Sequence, residues 1–201
     1  GEKELKESID FYNKEVEKLL EKAKDIKQVL AIEGRIWATF YSSFKYFLPQ
    51  EFLINKRVKR PPDNPMNAMI SFGNTLLYTK TISQIYNTHL EQSISFLHEP
   101  SEARFSLSLD LSEVFKPIIV FKTIFDLVNN KRIKVEEHFE KKLNYSLLNE
   151  AFENRINQTF EHKKLKRKIT YKQAIKLDGY KLIKYIVEKE EFKPFNFEEK
   201  E

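Results

Sequence analysis

The chain has 201 residues, 41% of them hydrophobic and 13% aromatic, enough for one large domain or two small ones with a real core. It has no cysteine, which excludes disulfides, thiolate zinc sites and a cysteine nucleophile, and leaves carboxylates, His, carbonyls and water as metal ligands, a set suited to Mg or Mn. A net charge of +5 is compatible with an acidic polymer as partner, and no apolar run approaches the ~20 residues of a membrane span.

Four Gly and seven Pro leave few breaks and favour long helices. From Leu5 an apolar stripe runs through Ile9, Tyr12, Val16, Leu19, Ala23, Ile26 and Leu30. It then meets Glu33 and continues through Trp37, Phe40, Phe44 and Phe47. Spacings alternating four and three predict one inward helical face. Asp25 with Gln28 three residues on reads as a capping box, so two helices are predicted to meet near Asp25. Glu33 interrupts the apolar stripe with a carboxylate, which must find a partner or become neutral. A cation could be that partner; so could Arg35 or Lys45.

A basic loop follows, with Lys56, Arg57, Lys59 and Arg60. Asn64-Pro65 is a good helix start, and a helix is predicted to about Leu90. One of its faces carries Asn67, Ser71, Asn74 and Tyr78, a small and polar stripe suited to solvent or to a polar site. Residues 91–110 read as irregular. A helix is predicted from about Leu111 to Asn129, bent by Pro117. Another runs from Ser146 to about Lys163. Thr170 with Gln173 forms a second capping box, opening a helix to about Glu190. A second basic run lies at 163–168, with His162 beside it expected to face solvent or phosphate.

His98, Asp110 and Glu113 join Glu33 as candidate ligands. Residues three apart share a helix face, so Asp110 and Glu113 could address one spot. Two or three oxygens and one imidazole, completed by water, would suit Mg or Mn, which can polarise a phosphate and activate an attacking oxygen. Each has an ordinary alternative. Asp110-Leu111-Ser112-Glu113 also reads as a capping box, and a lone His such as His98 is commonly a loop or satisfied core residue.

Several stretches resemble one family. They are Ile32-Glu33-Gly34-Arg35 with Tyr41; Arg60-Pro61-Pro62-Asp63-Asn64-Pro65-Met66-Asn67-Ala68 followed by Ser71-Phe72-Gly73-Asn74-Thr75-Leu76-Leu77-Tyr78; and Leu97-His98 followed by Ser106 through Pro117. Ile169-Thr170-Tyr171 with Gly179-Tyr180-Lys181-Leu182 completes the set. Together, in order, over about residues 25–195, they are similar to the CRISPR-associated adaptation endonuclease and integrase, the Cas-one family. The resemblance implies a metal-dependent DNA enzyme that inserts captured fragments into a CRISPR array, a DNA 3′-hydroxyl attacking a backbone phosphate. It implies Mg or Mn on Glu33, His98 and Glu113, with Asp110 as a fourth catalytic residue. Both basic runs, Lys56, Arg57, Lys59 and Arg60 and, with less weight, the run at 163–168, would track DNA, together with Asn67, Ser71, Asn74 and Tyr78. Family members usually begin with a β-rich domain that helps form a homodimer, and they work with a small partner subunit of the Cas-two family. This chain starts in the helical part. The expectation is one all-α catalytic domain over 1–201, cytoplasmic, with DNA as partner. The rival reading is a non-enzymatic helical interaction module with residues 5–23 as a coiled-coil seam.

Overall fold

The structure, a computed structural model, describes residues 2–98, 105–138 and 145–196. These form two compact units, Gly1–Ala68 and Met69–Glu201, whose division falls inside a helix. Among the described residues the fold is all-α apart from one small hairpin. In the described residues no helix is long and apolar enough to cross a membrane.

The first unit opens with α1 (Glu2–Lys22) and α2 (Ile26–Ser42). The break falls where the cap predicts it. The Asp25 carboxylate accepts from Gln28 N at 2.8 Å, and the Gln28 side chain accepts from Lys24 N at 3.0 Å. After α2 come short 3₁₀ turns at Ser43–Tyr46 and Gln50–Phe52, which bury Phe44 and Phe52. The aromatics of α2 pack on one another. Trp37 stacks on Tyr41 at 5.9 Å, and Phe40 and Tyr41 both meet Phe44 edge-on. The apolar stripe is less buried than its periodicity suggests. Ile9 and Ile26 are 49% and 52% exposed, while Phe44 is fully buried. Two helices of a 68-residue unit cover only part of one another's apolar face, which explains why so much of the stripe stays wet.

α3 (Pro65–Tyr86) starts as predicted, with the Asn64 side chain accepting from Asn67 N at 2.9 Å. The second unit is built on its later turns. Gly73 is the point of closest approach: a Cβ there would lie 2.7 Å from the Phe152 ring and 2.8 Å from Val120 Cγ1. α4 (Ser106–Glu113) corrects the expectation of an irregular segment up to 110. Its alternating serines and leucines are two helical faces. Leu107 and Leu111 pack with Ile85 and Leu182. Ser106 and Ser108 donate to Ser93 O and Gln92 Oε1, at 3.0 and 2.8 Å.

The helix predicted over 111–129 is divided. Pro117 has no N–H to continue the α-helical ladder, and Lys116–Phe121 is a π-helical turn that buries Ile118 to Phe121. α5 (Lys122–Asn129) follows, then α6 (Val135–His138) and α7 (Tyr145–Ile156). α7 stops short of the predicted Lys163, because residues 159–170 form an antiparallel hairpin of β1 (Thr159–His162) and β2 (Arg167–Thr170). Its inward side chains Phe160, His162 and Ile169 are all buried. His162 therefore faces the interior, not solvent. The capping box at Thr170 is present in full and opens α8 (Tyr171–Glu188). The following segment is tied down by buried Asp178, which accepts from Phe195 N at 2.8 Å, and by Phe195 stacking on Phe115 at 5.1 Å.

Candidate active site

Asp110 sits in the middle of α4, not at its start, so the capping-box reading of Asp110 and Glu113 is set aside. Its side chain is fully buried and points at residues 96–98. Oδ2 accepts from Phe96 N at 2.8 Å and Leu97 N at 2.9 Å. Oδ1 accepts from His98 N at 3.1 Å and lies 2.6 Å from His98 Nδ1. Two carboxylate oxygens offer about four lone-pair positions, and four donors fill them. Asp110 therefore has no lone pair to spare for a metal. Its geometry suits the expected electrostatic support of the site and not the binding of a second ion.

The same geometry fixes the histidine. A carboxylate already accepting three backbone N–H groups can only accept from the ring, so Nδ1 donates to Asp110 and Nε2 is the nitrogen left for a ligand. A carboxylate behind an imidazole is the arrangement that orients metal-binding histidines. The His98 side chain is 24% exposed.

Glu113 lies three residues after Asp110 on α4, and its side chain is 17% exposed. Oε1 is ion-paired with Lys116. Oε2 is buried with no hydrogen-bond partner. An orphaned buried carboxylate oxygen is costly, and a cation or a proton would relieve it. The donor set in the second unit thus fits a hard divalent ion: one free imidazole nitrogen and one unsatisfied carboxylate oxygen.

Glu33 belongs to the first unit. It is half-buried, and its partner is the Trp37 indole, which donates to Oε1 at 3.1 Å, not Arg35 or Lys45. The three predicted ligands are divided between the units, and among the described residues no three His, Asp or Glu are grouped as a metal site.

The predicted DNA-tracking residues separate into two groups. Lys56, Lys59 and Arg60 are exposed. Arg57 is half-buried and turned inward, donating to Val58 O at 2.6 Å and Asn67 Oδ1 at 3.0 Å. Burial pushes its guanidinium below its ordinary value, opposed by charge and hydrogen-bond interactions with Tyr41 and by Asp63. Asn67 is fully buried, and its amide donates to Lys56 O and Asp63. Asn67 is thus taken up in holding the loop and is not exposed for direct DNA contact, a correction to its predicted role. In the second unit Ser71, Asn74 and Tyr78 are half-buried. Asn74 Oδ1 has no hydrogen-bond partner, and Tyr78 donates to Phe105 O at 3.4 Å.

Arg57→Ala is expected to act on stability more than on DNA. It strips a buried acceptor, Asn67 Oδ1, of its cation, which costs about 2 kcal/mol. Lys56→Gln with Lys59→Gln and Arg60→Gln should leave the unfolding midpoint unchanged. Chemical denaturation of the two variants checks this, and equal midpoints would refute the inward role of Arg57.

Sequence reasoning finds His98, Asp110 and Glu113 but misses Lys116 and the serines of α4. Lys116, three residues after Glu113, is legible as an i,i+3 partner.

The chain belongs to the family CRISPR associated protein Cas1, whose profile matches residues 1–162. It is 41% identical over 199 residues to "CRISPR-associated endonuclease Cas1 3" of Thermodesulfovibrio yellowstonii, covering 94% of this chain and 61% of that protein. It is 45% identical over 184 residues to "CRISPR-associated protein Cas1 1" of Methanobrevibacter ruminantium, covering 88% and 57%. Among solved structures, a CAS1 protein from Thermotoga maritima superposes with a TM-score of 0.79 at 38% identity, covering 90% of this chain and 57% of that one. A casposase bound to integration product has the same fold, with a TM-score of 0.80 at 22% identity, over 93% of this chain and 55% of that one. The chain thus spans about three fifths of the length of the curated relatives it matches.

Proposed function

We propose that this chain is the catalytic portion of a CRISPR adaptation integrase, a DNA endonuclease and strand-transfer enzyme that inserts captured fragments as spacers. The observation that carries the reading is the Asp110 clamp on His98, with the unsatisfied Glu113 Oε2 one helical turn further along α4. The relatives named as endonucleases support the reaction class.

In this reading Glu33, His98 and Glu113 hold Mg or Mn. The ion, when bound, supplies Lewis-acid polarisation of the scissile phosphate. The protein's own contribution is placement. Asp110 takes up His98 Nδ1 and so turns Nε2 toward a ligand. Lys116 holds Glu113 by Oε1 and leaves Oε2 without a hydrogen-bond partner. Lys56, Lys59 and Arg60 attract the DNA backbone. The reaction joins a DNA 3′-oxygen to a backbone phosphorus while the bond from that phosphorus to its original 3′-oxygen breaks, and the departing oxygen takes a proton. The complete protein would act as a homodimer with a small Cas-two subunit.

The test is a thermal shift on the chain itself. Mn at ~100 times its dissociation constant should stabilise it by about 2.7 kcal/mol. His98→Ala and Glu113→Ala should each abolish the shift. A chain that Mn leaves unmoved would return the reading to a helical interaction module.

A further inference from the structure

The family match ends at His162, the last residue of β1, and the densest run of positive charge in the chain begins at the next residue. Lys163, Lys164, Lys166, Arg167 and Lys168 fall within 163–168 and are all exposed. The sequence alone reads such a run as a solvated face or as a DNA-tracking surface, and favours the 56–60 run for the second role. The structure gives it a shape. It forms the tip and returning strand of a hairpin whose register pairs Glu161 with Lys168 and His162 with Arg167. The turn is closed by Lys166 N donating to His162 O at 2.8 Å. The base of the hairpin is fixed in the core. Phe160 stacks on Tyr171 at 4.8 Å and meets Phe195 edge-on, and Ile169 is buried. One face of the hairpin, Phe160, His162 and Ile169, is buried as far as the turn, while the turn and returning strand expose five cations against one acid, Glu161.

Two details argue that the charge has a use. Lys166 has φ 48, the left-handed region where Gly or Asn is favoured. A lysine occupies the position at a conformational cost. The tip also has little of what a protein partner requires. Leu165 is the apolar side chain among the cations, 40% exposed, whereas protein interfaces centre on apolar and aromatic residues and are poor in Lys. Phosphate contacts need only Lys and Arg.

We propose that the β1–β2 hairpin is a sequence-independent grip on duplex DNA, its lysines and Arg167 meeting backbone phosphates. This rests on the reading of the chain as a DNA enzyme and adds a binding surface on the second unit. Four lysines are compact point charges rather than planar forks, so the grip reads charge, not base sequence.

The experiment is a duplex DNA titration at several salt concentrations, in EDTA so that catalysis plays no part. The variant carries Lys163→Gln, Lys166→Asn, Arg167→Gln and Lys168→Gln, with Asn chosen because it tolerates the left-handed turn. Its log–log salt slope should fall by roughly 0.9 for each phosphate that the variant no longer neutralises. Affinity should drop about tenfold or more for unrelated sequences. A charge-preserving variant, Lys163→Arg with Lys168→Arg, should keep the parental slope. Parental slope and affinity in the neutralised variant, with parental circular dichroism and melting, would overturn the grip alone. Loss of poly-glutamate binding with an unchanged DNA slope would overturn it too, assigning the tip to an acidic protein. A parent chain that binds no duplex at any salt would instead remove the DNA-enzyme reading beneath it.

Discussion

Asp110→Ala is expected to destabilise the second unit by about 3 kcal/mol and to free the segment that carries His98. The substitution removes an acceptor from three backbone N–H groups and one imidazole N–H at once. Each buried donor left without a partner costs about 1–3 kcal/mol, and water reaching the half-exposed Phe96 side of the segment recovers part of that sum. The local signature separates this role from general core damage. Backbone amides of Phe96, Leu97 and His98 should lose hydrogen-exchange protection, while those of α8 keep theirs apart from the global shift. Asp110→Asn should fall between, since its amide NH₂ faces donors where an oxygen is needed. The His98 ring, losing its carboxylate, should no longer hold a single tautomer, which nitrogen chemical shifts report. Undiminished protection at residues 96–98 in the Ala variant would show that the clamp is not what fixes this segment.

Local signals are legible in the sequence, and partners at a distance are not. Asp25, Asn64 and Thr170 are caps, and a cap acts within three residues, so each helix start is readable. α4 is not. Its polar residues Ser106, Ser108 and Asp110 look like the solvent side of a strand, but their partners lie 12 to 16 residues earlier, at 92–98. The same gap explains why the sequence places Asp110 at the site but does not show its role. Four-residue strands carry too little pattern to compete with a helical continuation, so the hairpin is hidden behind α7. Arg57 shows the limit of reading charge from a run. Its neighbours Lys56, Lys59 and Arg60 point to water, while buried Asn67 draws Arg57 inward. Glu33 stands out in the sequence for interrupting an apolar stripe. The stripe is only half-covered, so water and the Trp37 indole already satisfy much of the carboxylate. What singles Glu33 out is the ordered match to the family, more than the cost of its burial.

Glu33→Ala is expected to separate DNA binding from chemistry. The folding cost should be small, since Glu33 is half-buried and loses a single hydrogen bond from Trp37, about 1 kcal/mol. Asp110 and Glu33 differ in this respect: the first carboxylate holds the protein together, and the second is left available to act. Duplex affinity should survive, because it comes from exposed cations such as Lys56, Lys59 and Arg60, and losing a negative charge does not weaken it. Metal-dependent strand transfer and cleavage should fall by more than the roughly 10–100-fold that follows loss of a residue behind a ligand, since Glu33 is proposed as a ligand itself. Glu33→Gln sharpens the test. It keeps the size of the side chain and an oxygen that can accept from Trp37, but removes the charge a hard divalent ion prefers. Turnover in both variants equal to the parent's, at matched DNA occupancy, would reject Glu33 as a ligand. Turnover lost in Ala but kept in Gln would make Glu33 a packing residue beside Trp37 rather than a holder of the ion.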